Sequence, residues 1–130
     1  MMSKERYERG RKKLNEINRE AGELVVESLE TIAPDLARYM IEFVFGDILS
    51  RPGLDLKSRE IATIAALTAL GNAEPQLEAH IHGGLNVGCT RQEIVEVIIQ
   101  MAAYAGFPTA LRSMSTAKAV FEERDRKGQS

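Results

Sequence analysis

Tryptophan is absent from these 130 residues and cysteine occurs once, as Cys89. A single thiol excludes an intrachain disulfide and any cysteine-based metal cluster, so a reducing cytoplasm is the expected compartment. A charge excess is missing too. Seventeen Lys and Arg against nineteen Asp and Glu leave a net charge of -2, which gives no electrostatic reason to expect nucleic acid or an anionic membrane as partner. Long apolar runs are lacking: Ile61 to Leu70 is the most apolar stretch, and threonines interrupt it. That is too short to span a bilayer. The opening MMSKERYERGRKK is polar and has no apolar core of a signal peptide. There is no phosphate-cradling glycine loop, nucleophile elbow, low-complexity tract or internal repeat. At 44% hydrophobic and 28% charged, the chain has the composition of one globular domain. A domain of this size buries roughly two thirds of its unfolded surface.

No segment alternates with period two, so the chain reads as all-α, a single-domain bundle of about six helices. Residues 1–32 form a long first helix, with Ser3 as a possible cap. Its stripe is Tyr7, Leu14, Ile17, Ala21, Leu24, Val25 and Leu29, and Gly10 and Gly22 mark close contacts or a kink. A second helix runs from Pro34 to Phe45, burying Leu36, Tyr39, Met40, Phe43 and Val44, and Gly46 stops it. The core segment, 55–108, carries three more helices. The first starts near Asp55 or Leu56 and is apolar nearly all round, which makes it central. Glu60 shares the row of Leu56, Ile64 and Leu67 and therefore points along a packed face. The next helix, from Glu74-Pro75 to Gly88, has Leu77, His80, Ile81, Gly84 and Leu85 on one face and Glu78, His82 and Asn86 on another. Thr90 and Glu93 fit a capping box for the fifth helix, whose stripe is Ile94, Val97, Ile98, Met101 and Tyr104/Ala105. Gly106 stops it, and Pro108 starts a sixth helix with Leu111, Met114, Ala117 and Phe121 inward. The tail from Glu122 to Ser130 is expected to fray.

The chemistry concentrates on Glu60 and His80, which this packing brings onto neighbouring helices. Burial and a nearby opposite charge act in opposite senses on a carboxyl and an imidazole, so such a pair can serve as acid and base. The bland alternative is a structural ion pair and a core histidine. His82, about 200° round the helix from His80, is expected to pair with Glu78 one turn away. Two histidines on opposite faces make a poor metal site, and no metal is expected. Cys89, just before a helix amino terminus, is either a reactive thiol or an apolar filler. Glu96 and Tyr104 line either a pocket wall or a polar seam. Arg51 and Arg59 suit a substrate carboxylate, or else surface salt bridges.

Several stretches together resemble the carboxymuconolactone decarboxylase family, which includes the alkylhydroperoxidase D-like proteins. They are Tyr7-Glu8-Arg9-Gly10, Ala33-Pro34-Asp35-Leu36, Phe45-Gly46-Asp47 and Arg51-Pro52-Gly53-Leu54-Asp55-Leu56-Lys57-Ser58-Arg59-Glu60. Glu78-Ala79-His80, Gly84-Leu85-Asn86-Val87-Gly88, Glu93-Ile94-Val95-Glu96 and Tyr104-Ala105-Gly106-Phe107-Pro108 complete the match. The resemblance implies an alkylhydroperoxidase D-like helical fold assembled as a homo-oligomer, a trimer or a hexamer. It places Glu60 and His80 where thiol-active members keep their proton-relay glutamate and histidine. Those members carry a Cys-x-x-Cys motif just ahead of the histidine, where this chain has Ala73-Glu74-Pro75-Gln76. The cysteine-free branch resembles the 4-carboxymuconolactone decarboxylases. The activity implied is a cofactor-free lyase acting on a small carboxylated lactone. Glu60 and His80 would be catalytic, and Arg51, Arg59, Glu96 and Tyr104 would bind substrate. Two other readings stay open: a thiol-dependent peroxide-defence protein using Cys89, and a non-catalytic oligomer that binds a small acid.

Overall fold

The structure, a computed structural model, describes residues 2–130, with side chains from Lys4 onward. The cap expected at Ser3 lies outside the described side chains. Among the described residues there is no strand, and the chain is all-α. The elements are α1 (Met2–Leu29), α2 (Pro34–Tyr39) leading into a π-helical stretch Met40–Ile48, α3 (Leu56–Leu70), α4 (Glu74–Asn86), α5 (Arg91–Ala105) and α6 (Phe107–Arg126). They form two compact units, one ending at Leu56 and one spanning Lys57–Ser130.

In the first unit, α1 is not the single long rod that its stripe predicts. Asn18 takes a non-helical conformation (φ -160, ψ 82) and breaks it in two. The Asn18 side chain then accepts from the Ala21 amide at 3.1 Å, an amino-terminal cap for the second half. Gly10 is buried, and a Cβ there would overlap the carbonyl oxygen of Ile41. Gly46 is likewise met by the Arg6 carbonyl, 2.6 Å from where its Cβ would sit. Gly46 is therefore a backbone contact point and not a stop, and the helix continues to Ile48. The Arg6 guanidinium grips both oxygens of Asp47 from the other side (2.7 to 3.1 Å). That grip, helped by Arg9, holds the Asp47 carboxyl below its ordinary pKa.

The π-helical widening changes which residues face inward. Ala37, Ile41, Phe45 and Leu49 are buried, together with Leu14 and Ile17 of α1. Leu36, Tyr39, Phe43 and Val44, expected inside, are exposed, as are Leu24 and Val25. Of these, Phe43 and Val44 lie in the π-helical stretch, where more residues fill each turn and the 3.6-residue register drifts off the inner face.

The core of the second unit is Ile64, Leu77, Ile81, Cys89, Ile94, Ile98, Ala110, Ala117 and Val120. The predicted capping box is present: the Thr90 hydroxyl accepts from the Glu93 amide at 3.0 Å, and Glu93 accepts from the Thr90 amide at 2.8 Å. A 2.9 Å ion pair to Lys57 then ties the start of α5 to the start of α3. Lys57 first, and the Thr90 amide second, hold the Glu93 carboxyl below its ordinary pKa. Gly106, at φ 93, ends α5 in a conformation that favours glycine, and α6 starts at once.

Two expectations for α5 and α6 need correction. Tyr104 is 80% exposed and no part of the inner stripe. In α6, Met114 and Phe121 pack partly buried against the core and Ala117 is fully buried, as expected, but Leu111 is exposed, and the fully buried row is Ala110, Ser113, Ala117, Val120 and Arg124. The tail does not fray as expected. The Gln129 amide bonds the Arg124 carbonyl at 2.7 Å, and Arg91 donates to the carbonyls of Gln129 and Ser130.

Candidate active site

α3 presents Glu60, Ile64 and Thr68 inward, an i, i+4, i+8 row in which every residue is fully buried. α4 presents Leu77, Ile81 and Gly84 to the same core, with His80 at its margin. Gly84 allows the two helices to approach. A Cβ there would lie 3.2 Å from Ile64 Cδ1 and 3.4 Å from Cys89 Sγ. One turn along each helix from that contact, His80 Nδ1 meets Glu60 Oε1 at 2.8 Å. The sequence placed this pair on neighbouring helices, and the structure brings it into hydrogen-bond distance.

The two side chains are exposed very differently. Glu60 is sealed, whereas the His80 side chain keeps 21% of its surface. With a carboxylate oxygen as partner, Nδ1 carries the ring hydrogen and donates it. The lone pair of His80 then sits on Nε2, the nitrogen turned away from Glu60. Glu60 Oε2 is buried and has no hydrogen-bond partner. An orphaned oxygen on a fully buried acid is costly for a purely structural contact and is a feature of sites under functional constraint.

His82, two residues on, belongs to a second cluster that the sequence did not foretell. It was expected to pair with Glu78. Its Nε2 instead bonds Glu123 Oε2 at 2.9 Å, and its Nδ1 faces Arg124 Nη1 at 3.0 Å. Arginine only donates, so His82 Nδ1 accepts and Nε2 carries the hydrogen. The two histidines of α4 are thus fixed in opposite tautomers. Lys127 first and His82 second hold the Glu123 carboxyl below its ordinary pKa. Glu78, His82 and Glu123 bring donor atoms within 4.8 Å of one another. In the arrangement seen, His82 Nε2 donates to Glu123 and its lone pair faces Arg124.

Arg59 precedes Glu60 on α3 and is half-buried. Arg51 is exposed and belongs to the first unit. Glu96 and Tyr104 are on the exposed side of α5, where Gln92 donates to Glu96 at 3.0 Å. Cys89 is buried in the core with its Sγ 3.7 Å from the Lys57 carbonyl, the position of an apolar filler and not of an accessible thiol. The signal for the missed cluster was the α6 register: reading the row from Ala110 puts Arg124 inside.

Residues 34–119, which include this whole Glu60–His80 arrangement, match the carboxymuconolactone decarboxylase family. The chain belongs to that family. Among its relatives is the 4-carboxymuconolactone decarboxylase of Acinetobacter baylyi, 36% identical over 75% of this chain and 72% of the relative. An uncharacterized 15.0 kDa protein of Paracoccus denitrificans is 37% identical over 77% and 75% of the respective lengths. The nitrosuccinic acid decarboxylase of Metarhizium robertsii is 31% identical over 68% of this chain and 61% of that protein. This family member is thus similar to two proteins named as decarboxylases. Among its described residues no helix is long and apolar enough to cross a membrane.

Proposed function

We propose that the protein is a cofactor-free decarboxylase of small carboxylic acids whose carboxylate lies next to, or in conjugation with, an electron sink. A carboxylated lactone of the 4-carboxymuconolactone type is the leading candidate. The observation that carries this reading is the Glu60–His80 pair, a sealed carboxylate bonded to a partly exposed imidazole. The names of the two decarboxylase relatives support it. Loss of carbon dioxide from a conjugated lactone acid, or from an acid bearing a nitro group beside the carboxylate, leaves an electron pair that a neighbouring group can accept.

In the proposed reaction the carbon–carboxylate bond breaks, carbon dioxide departs, and the bonding pair moves into the conjugated lactone as an enolate. One proton is consumed, and it is delivered to carbon from His80 Nε2. The ring draws that proton from solvent, and the Glu60 carboxylate, 2.8 Å from Nδ1, stands beside the imidazolium while it carries the proton. Arg59, next to Glu60 in sequence, is the cation we assign to a substrate carboxylate. Glu96 and Tyr104, with the exposed Ile99, are assigned to a contact between copies of this chain in a homo-oligomer. The test is carbon dioxide release from 4-carboxymuconolactone and from nitrosuccinate. Wild-type release that is lost in folded His80→Gln supports the reading; full turnover by that variant refutes it.

A further inference from the structure

Arg124 of α6 is a cation buried to 6% exposure. Burial and the nearby charge of Arg91 pull its pKa below the usual arginine value, and Glu123 pushes back. Its two terminal nitrogens do not clasp a carboxylate. Nη1 donates to His82 Nδ1 at 3.0 Å and Nη2 to Asn86 Oδ1 at 3.2 Å. These acceptors are one turn apart on α4, so the guanidinium spans that helix at two points along one side. Its Nε is buried with no hydrogen-bond partner. A side chain that leaves a buried donor unmet while gripping two acceptors is held there by the grip.

Helix α4 needs to be held. Its amino terminus has no side-chain cap, and Gly83 and Gly84 sit inside it, where glycine is the weakest helix former after proline. Leu77 and Ile81 seat one face of the helix in the core, and polar side-chain ties add to that seating. Glu60 holds one side through His80, and Arg124 holds the other through His82 and Asn86. A side-chain nitrogen rides roughly 6 Å from a helix axis, so a roll of about 10° displaces it by about 1 Å. A misplacement of that size costs a reaction about 100-fold.

We propose that Arg124 is a positioning residue, whose two-point grip on His82 and Asn86 sets the roll of α4 and hence the direction of the outer nitrogen of His80. This inference rests on the decarboxylase reading for its kinetic consequence, but its structural consequence can be measured without it.

The chain has only two histidines, so their ring nitrogens can be followed separately by NMR in the full-length protein. In the wild type, His80 reports a hydrogen on Nδ1 and His82 one on Nε2. In Arg124→Met, His82 Nδ1 loses its donor and its signal shifts, while Glu123 keeps the hydrogen on Nε2. The His80 ring signals shift as well, although Arg124 lies across the helix from it. With carbon dioxide release as readout, kcat falls about 10- to 100-fold while KM changes little. His82→Asn keeps an acceptor near the position of Nδ1 and stays close to wild type, whereas His82→Leu falls as Arg124→Met does. Unchanged His80 signals and kcat in folded Arg124→Met would overturn the proposal, and so would equal impairment of the two His82 variants. If Arg124→Met does not fold, the His82 pair decides alone. If the wild type decarboxylates neither acid, the proposed function fails, and the ring-nitrogen comparison still decides the grip.

Discussion

Replacing Glu60 by glutamine should separate activity from stability, because the two respond with opposite signs. The substitution keeps the shape of the side chain and an oxygen that can accept from His80 Nδ1, and it removes the charge. Glu60 is fully buried and Oε2 has no partner, so the wild type carries a desolvation cost of several kcal/mol for that ion. Glutamine relieves much of it. Against this, the 2.8 Å bond to His80 weakens from the charge-assisted range, about 1.5–3 kcal/mol, to the neutral range, about 0.5–1.5 kcal/mol. The net expectation lies between no change and a gain of about 2 kcal/mol in unfolding free energy. Turnover moves the other way. Without the carboxylate beside it, the imidazolium loses its counter-charge, and kcat should fall by about 10²- to 10⁴-fold with little change in KM. Urea unfolding and carbon dioxide release on the same preparation give both numbers. A loss of stability above about 3 kcal/mol is the figure for breaking a buried pair that leaves a stranded charge. That result, or wild-type turnover, would refute the reasoning and make the pair a structural contact between α3 and α4.

Further expectations concern the scaffold and the assembly. The Asp47 pKa is depressed chiefly by the Arg6 hydrogen bond, so its contribution is present above the unfolded aspartate value of about 3.9 and is lost as pH falls through the folded value. The wild type should therefore melt above Asp47→Asn at pH 6, and the gap should narrow steadily as the pH falls below the unfolded aspartate value; a gap that does not narrow in acid would contradict the linkage. Gly10→Ala forces a methyl group into the Ile41 carbonyl and should cost at least about 3 kcal/mol. Gly84→Ala meets only the side chains of Ile64 and Cys89 and gains helix propensity of about 1 kcal/mol, so it should be nearly neutral. Similar costs for both, by chemical denaturation, would overturn the assignment of the tight contact to α1. Thr90→Ala removes one arm of the capping box and should cost about 1 kcal/mol, read from the same denaturation curves. Light scattering at micromolar concentration should show an oligomer, and Tyr104→Glu should reduce its mass; a monomeric wild type would remove the assembly from the proposal.

The sequence alone determined the all-helical class, the capping box at Thr90 and the placement of Glu60 and His80 on adjoining faces. These depend on helical periodicity and on residues three or four apart, which a linear reading captures. Register within an amphipathic helix is a finer matter. In α6 the rows beginning at Ala110 and at Leu111 both contain apolar residues, and only packing against α5 and α4 selects the one that carries Arg124 inward. The break at Asn18 and the π-helical stretch after Tyr39 leave no mark in the apolar stripes, and in the same unit Gly10 and Gly46 each bring one backbone against another. The tautomers of the two histidines follow the same division: the sequence put both rings on α4, and the partners that arrive from α3 and α6 settle which nitrogen of each ring carries the hydrogen.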